Sequence, residues 1–137
     1  MDVNDSDDDF SDAFNGSQVK FFSIENEVLV WAKVKEEVQR LLNGYPTTYA
    51  QDLEILAVEE DDSTLTSNER SCVLFRSGEK KILHFLSDAS DKICQLYTLP
   101  VKDARKLVNV NSKDYENMGD YIKSTVLLAL QERDNKN

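Results

Sequence analysis

Apolar and polar positions along this chain alternate with a helical period almost throughout. Cys72, Phe75, Glu79, Ile82, Leu86, Ala89, Ile93 and Leu96 recur three and four residues apart. That spacing places them on one face of a helix, with Glu79 the only polar member. Thr66-Ser-Asn-Glu69 has the form of a capping box, in which the Thr66 hydroxyl and the Glu69 carboxylate each serve a backbone N–H of the other. Pro100 follows Thr98 and Leu99 and cannot continue helical bonding. The pattern therefore predicts one long helix over Thr66–Tyr97, roughly 45 Å at 1.5 Å per residue. Gly78 sits inside it at a cost of about 1 kcal/mol against Ala. It either allows close approach of another element, marks a kink, or is simply tolerated.

Ile24, Val28, Trp31, Val34, Val38, Leu41 and Leu42 form a second stripe. It predicts a helix from about Ile24 to Asn43, with Ser23 as N-cap, Glu25 and Glu27 at the positive end of the dipole, and Gly44 and Pro46 as the stop. Trp31 lies on the stripe and reads as a core anchor. Thr48-Tyr-Ala-Gln51 is another capping box and opens a short helix to about Ala57. Glu59 to Asp62 reads as a solvated surface loop. Lys102–Val108 is weakly patterned and could form two helical turns. Tyr115, Met118, Ile122, Val126 and Ala129 line one face of a last helix from about Lys113 to Gln131, widened by Leu127, Leu128 and Leu130. No strand alternation and no internal repeat appear. The expected fold is all-α: an irregular helical bundle with one long central helix.

Composition adjusts this picture at the ends. Residues 1–20 hold six aspartates and two isolated phenylalanines, Phe10 and Phe14. A like-charge block with little to bury reads as a disordered acidic tail, or as an acidic-aromatic motif for a basic partner. Residues 21–132 form the expected helical domain, and 133–137 a polar tail that should fray. The net charge of -10 opposes a nucleic-acid or anionic-membrane footprint, which needs clustered Lys and Arg. No apolar run approaches the roughly 20 residues of a membrane span, and the acidic N-terminus resembles no signal or transit peptide. A cytosolic or nuclear monomer with protein partners is the expectation.

Candidate chemistry is sparse. His84 is the only histidine and lies off the apolar stripe, so it reads as a surface residue. Neither a His/Cys cluster at ligand spacing nor a glycine-rich phosphate loop occurs. Cys72 and Cys94, 22 residues apart on one helix, would be roughly 33 Å from each other. They cannot form a disulfide, which needs Cα atoms within about 7 Å. Both read as buried free thiols. No catalytic, cofactor-binding or metal-binding residue is assigned. The concentrated polar group on an ordered element is Arg76, Glu79 and Lys80. A carboxylate on the apolar stripe needs a partner, and Arg76, one helical turn away, is the nearest. The trio reads as a polar clasp between helices.

Tyr45-Pro-Thr-Thr, Asp52-Leu-Glu-Ile-Leu56, Leu65-Thr-Ser-Asn-Glu69 and Arg76-Ser-Gly-Glu-Lys-Lys-Ile-Leu83 occur in that order. The ordered set resembles the Rubisco LSMT substrate-binding domain, the helical C-terminal module of a class of SET-domain protein methyltransferases. The resemblance covers about residues 24–97, and the last helix by position. Pro46, Thr48, Arg76, Gly78, Glu79 and Lys80 carry its pattern. It implies a module that helps hold a protein substrate while a SET domain transfers methyl groups from S-adenosylmethionine to lysine or histidine. No SET motif occurs here: there is no Asn-His dipeptide and no strand pattern. The chain is therefore expected to be non-catalytic by itself, with no cofactor unless a SET domain lies upstream, and to be a free-standing module, a truncated product or a fragment of a longer enzyme. The alternative reading is a helical scaffold that self-associates through the stripe from Cys72 to Leu96.

Overall fold

A computed structural model describes residues 23–136, and the acidic stretch 1–20 with Phe10 and Phe14 lies outside them. The described chain is all-α. α1 is Ile24–Asn43, α2 is Tyr49–Ala57, α3 is Ser67–Tyr97 and α4 is Val101–Val110. A last helical run then changes pitch repeatedly. It comprises α5 (Ser112–Tyr115), a 3-10 turn Glu116–Met118, α6 (Gly119–Tyr121), a π-helical turn Ile122–Val126 and α7 (Leu127–Lys136). Among these residues no helix is long and apolar enough to cross a membrane.

The caps form as their residue types dictate. Ser23 Oγ accepts from the Asn26 N–H at 3.0 Å and opens α1. Thr48 and Gln51 complete the capping box of α2, at 3.1 and 2.9 Å. Thr66 and Glu69 complete that of α3, both bonds at 3.1 Å. The Glu69 carboxyl is held below its usual range by the Thr66 backbone N–H it accepts from. The linker between α2 and α3 is not plain loop: Glu60–Asp62 winds into one exposed 3-10 turn.

The described residues divide into two compact units, 31–91 and 23–30 with 92–136, the boundaries falling within α1 and α3. In the second unit the core is apolar: Ile93, Leu96, Tyr97, Ala104, Tyr115, Met118, Ile122, Val126, Ala129 and Leu130 are all buried. The predicted last stripe is thus the buried one, yet it is not one α-helix. Met118, Ile122, Val126 and Leu130 are four residues apart, and at 3.6 residues per turn a four-residue step drifts about 40° each time. The π turn, in which the Leu127 N–H reaches the Ile122 carbonyl, takes more residues per turn and brings the line back.

The end of α7 is tied to the rest of its unit. Arg133 donates to the Tyr97 and Leu99 carbonyls at 3.0 and 2.6 Å, and Asp134 accepts from the Val101 N–H at 2.7 Å. A cation therefore sits at the C-terminus of α3 and an anion at the N-terminus of α4, the favourable polarity at each. The two adjacent residues clamp both sides of the Pro100 turn. The expectation for residues 133–137 was a fraying polar tail; of these, Arg133 and Asp134 are held by the bonds above.

Candidate functional site

The unit of residues 31–91 buries the polar Asp52, Ser77, Lys80 and Ser90 beside the apolar Val38 and Ala89. Lys80 is 1% exposed and Asp52 2%. Lys80 Nζ lies 2.5 Å from Asp52 Oδ2 and donates to Thr47 Oγ1 at 2.9 Å, while Thr47 Oγ1 donates to Asp52 Oδ1 at 2.6 Å. The Tyr45 ring covers the ammonium, its centroid 4.7 Å away. That adds a cation–π contact to a charge already taken out of water. Burial pushes the Asp52 carboxyl up, but the hydrogen bonds from Lys80 and Thr47, with the charges of Lys80 and Arg76, outweigh it and hold it below its usual value. A buried pair of this kind is tolerated because its oxygens are satisfied on both sides.

Around that pair the turn after α1 and the whole of α2 are tied to α3. Tyr45 Oη donates to Glu79 Oε2 at 2.6 Å, and that carboxylate first, then burial, raises the phenol. Arg70 donates to the Leu56 carbonyl at 2.9 Å, near the C-terminus of α2. The rings of Tyr49 and His84 lie 5.9 Å apart. The sequence reading of the clasp needs correction here. Glu79 finds Tyr45 rather than Arg76, and the centre of the clasp is Lys80 with Asp52. Arg76 is exposed, and its charge acts on both Tyr45 and Asp52. Thr48 caps α2 as expected, Pro46 is exposed, Trp31 is half-buried, and His84 is exposed as expected.

The stripe predicted as core splits. Ala89, Ile93 and Leu96 are buried, but Phe75 and Ile82 are 72% and 62% exposed, and Cys72 is exposed too. Cys94 is half-buried. Along α3 the inward line runs instead through the half-buried Val73, the buried Ser77 and Lys80, the half-buried Ser87 and the buried Ser90. Moving one residue along a helix turns the face by about 100°. The reason is Lys80: its only acid partner in the clasp is Asp52, and seating that pair fixes the rotation of α3. Two signals could have shown this from sequence. Asp52 precedes the apolar Leu53, Ile55 and Leu56 of α2, and Ser77, Lys80, Ser87 and Ser90 repeat at helical spacing.

The rotation leaves an apolar surface outside. Leu74 (62% exposed), Phe75, Ile82 and Phe85 (40%) stand on one face of α3 with Ser71, Lys81 and Gly78. Gly78 is at its middle, and a Cβ built there would meet nothing within 4 Å. So among the described residues Gly78 serves no close approach, and α3 runs through it unbroken. Lys80, two residues on, lies about 200° round the helix, so polar clasp and apolar face occupy opposite sides. The face is mostly apolar, with the exposed Ser71 and Lys81 beside the large side chains. Among the described residues no set of three or more His, Cys, Asp and Glu side chains is placed to hold a metal.

The sequence model of the family described as Rubisco LSMT substrate-binding matches residues 2–83. The match takes in α1, α2, both partners of the buried ion pair and most of the apolar face. It also begins inside the acidic stretch. Neither the curated proteins nor the solved structures contain a match to the chain.

Proposed function

The chain belongs to the Rubisco LSMT substrate-binding family, and from that membership we propose that it is a protein-binding module that holds a protein substrate and does no chemistry itself. The observation that carries the reading is the apolar face of α3. Leu74, Phe75, Ile82 and Phe85 stand exposed on a helix whose opposite side is fixed by a satisfied, buried ion pair. Large apolar side chains on a rigid element are the usual anchors of protein interfaces. The clasp supplies the rigidity, because α3 cannot rotate to hide these residues without stranding Lys80 and Asp52 apart.

In this family methyl transfer from S-adenosylmethionine is the work of a SET domain. The sole histidine, His84, is exposed beside the Tyr49 ring. The module therefore contributes to substrate choice and residence time, with the cofactor held elsewhere.

A photo-crosslinking amino acid at Ile82, compared with one at Lys33 on the exposed side of α1, tests the assignment. The expected result is a protein captured from Ile82 and not from Lys33. Purified, that protein should bind the unmodified chain in calorimetry, and Phe75→Glu should weaken binding at least tenfold. Equal capture at both positions, or binding indifferent to Phe75→Glu, contradicts the assignment. Titrating S-adenosylmethionine into the chain should give no heat of binding.

A further inference from the structure

The residues around Gly78 are arranged almost symmetrically along α3. Ser71 and Phe85 lie seven residues to either side, Leu74 and Ile82 four, Phe75 and Lys81 three. At 100° per residue all of them fall within about 60° of the Gly78 direction. A surface that is self-complementary about one point is what a two-fold interface requires, since each contact then occurs twice.

We propose that this face pairs with the same face of a second copy of the chain, antiparallel, with the two-fold axis passing beside Gly78. Positions equidistant from Gly78 then come to the same level. The two glycines meet at the centre, where the absence of a Cβ lets the helix backbones approach closely. Phe85 lies over Ser71 of the other copy, a large side chain over a small one. Ile82 comes level with Leu74 and packs beside Phe75. Lys81 lays its alkyl stem against Leu74 and keeps its ammonium at the rim. A parallel pairing loses this match, because it sets Phe85 on Phe85 and leaves Ser71 facing Ser71.

Open space around Gly78 supports this occupant. A glycine in mid-helix costs stability, and in residues 31–91 nothing uses the space it leaves. A second helix would use it. The four large apolar side chains expose roughly 450 Å² per copy, taking about 200 Å² for each when fully exposed. Doubled, that is close to the roughly 1,000 Å² at which specific interfaces begin. The dimer is accordingly weak, with a dissociation constant on the order of 10–100 μM. The proposal shares the apolar face with the substrate reading but not its occupant. Self-pairing would cover the face until a substrate displaces the second copy.

Sedimentation equilibrium of the purified full chain, from about 5 to 500 μM, tests self-pairing with no substrate present. The expected result is a monomer–dimer equilibrium in the wild type and at least tenfold weaker association in Gly78→Leu. Circular dichroism and thermal melting at low concentration should show Gly78→Leu folded and no less stable, since leucine favours helix and meets open space. Orientation is read by oxidising a mixture of two variants that also carry Cys72→Ser, one with Ser71→Cys and one with Phe85→Cys. The antiparallel pair gives the mixed disulfide dimer, whereas a parallel pair gives the two homodimers. A wild type that stays monomeric throughout overturns self-pairing and leaves the substrate reading to its own crosslinking test. A dimer unchanged by Gly78→Leu, or homodimeric crosslinks only, overturns the proposed geometry.

Discussion

The two units of this chain solve burial in opposite ways. In residues 92–130 the buried side chains are apolar, from Ile93 and Leu96 to Ile122, Val126 and Leu130. In residues 31–91 the buried side chains include Asp52, Ser77, Lys80 and Ser90, while Leu41, Leu53, Leu74, Phe75, Ile82 and Phe85 are exposed. One helix, α3, takes part in both. Its last turns present apolar residues inward and its first half presents them outward. Hydrophobic burial accounts for residues 92–130 without further premises. Residues 31–91 keep large apolar side chains on the surface, an arrangement that makes sense for a protein that meets other proteins.

The largest expected effect separates the two units. Leu130→Ala or Ile122→Ala should lower the free energy of unfolding by about 3–4 kcal/mol, from lost burial plus the cavity left behind. Phe75→Ala, removing a larger side chain from the other unit, should change it by no more than about 0.5 kcal/mol. Chemical denaturation of the three variants measures this. If Phe75→Ala were as costly as Leu130→Ala, the contrast between the units would fail.

Next comes the ion pair. Asp52→Ala leaves the Lys80 ammonium buried without its counter-charge and should cost about 3 kcal/mol. Replacing both partners by apolar residues, Asp52→Leu with Lys80→Met, should recover most of that loss, because no charge is then stranded. The pH dependence follows from the depressed Asp52 carboxyl. Its folded value lies below its unfolded one, so its contribution is present above the unfolded value of about 3.9 and is lost as the pH falls through the folded value. The stability gap between wild type and Asp52→Asn should therefore shrink below about pH 4. A gap that holds constant from pH 7 to pH 3 contradicts the assignment.

A smaller effect is expected at the Pro100 turn. Arg133→Ala removes two hydrogen bonds to carbonyls at the end of α3 and should cost about 1–2 kcal/mol. Hydrogen exchange should quicken around residues 98–104 and leave residues 47–80 unchanged.

Helices, caps and the all-α class were legible in the sequence because each depends on local chemistry. Ser23, Thr48 and Thr66 cap where their hydroxyls can reach a backbone N–H, and Pro100 ends α3 through its ring. The face that each helix buries was legible only where burial is apolar. The stripe Tyr115, Met118, Ile122, Val126, Ala129 is buried as its spacing implies. On α3 the same reasoning chose Phe75 and Ile82 and missed Lys80. Periodicity assumes that the apolar side faces in, and the spacing of Ser77, Lys80, Ser87 and Ser90 marks a polar line without naming Asp52, 28 residues before Lys80, as the partner. Arg133 and Asp134 were missed for a related reason. A polar terminus gives no sign of which carbonyl or N–H it will reach. The resemblance did capture Arg76 to Leu83, which contains both Lys80 of the clasp and Gly78 of the open face, without separating their roles.

The central claim is that Phe75 and Ile82 form a binding surface and not a core. The direct measurement is urea unfolding of Phe75→Glu/Ile82→Glu at a concentration where the chain is monomeric. The expected result is an unfolding free energy within about 1 kcal/mol of wild type, together with loss of association at high concentration. A double variant destabilised by more than about 3 kcal/mol, the scale of a core substitution, would show that this face is packed inside the protein and would contradict the account.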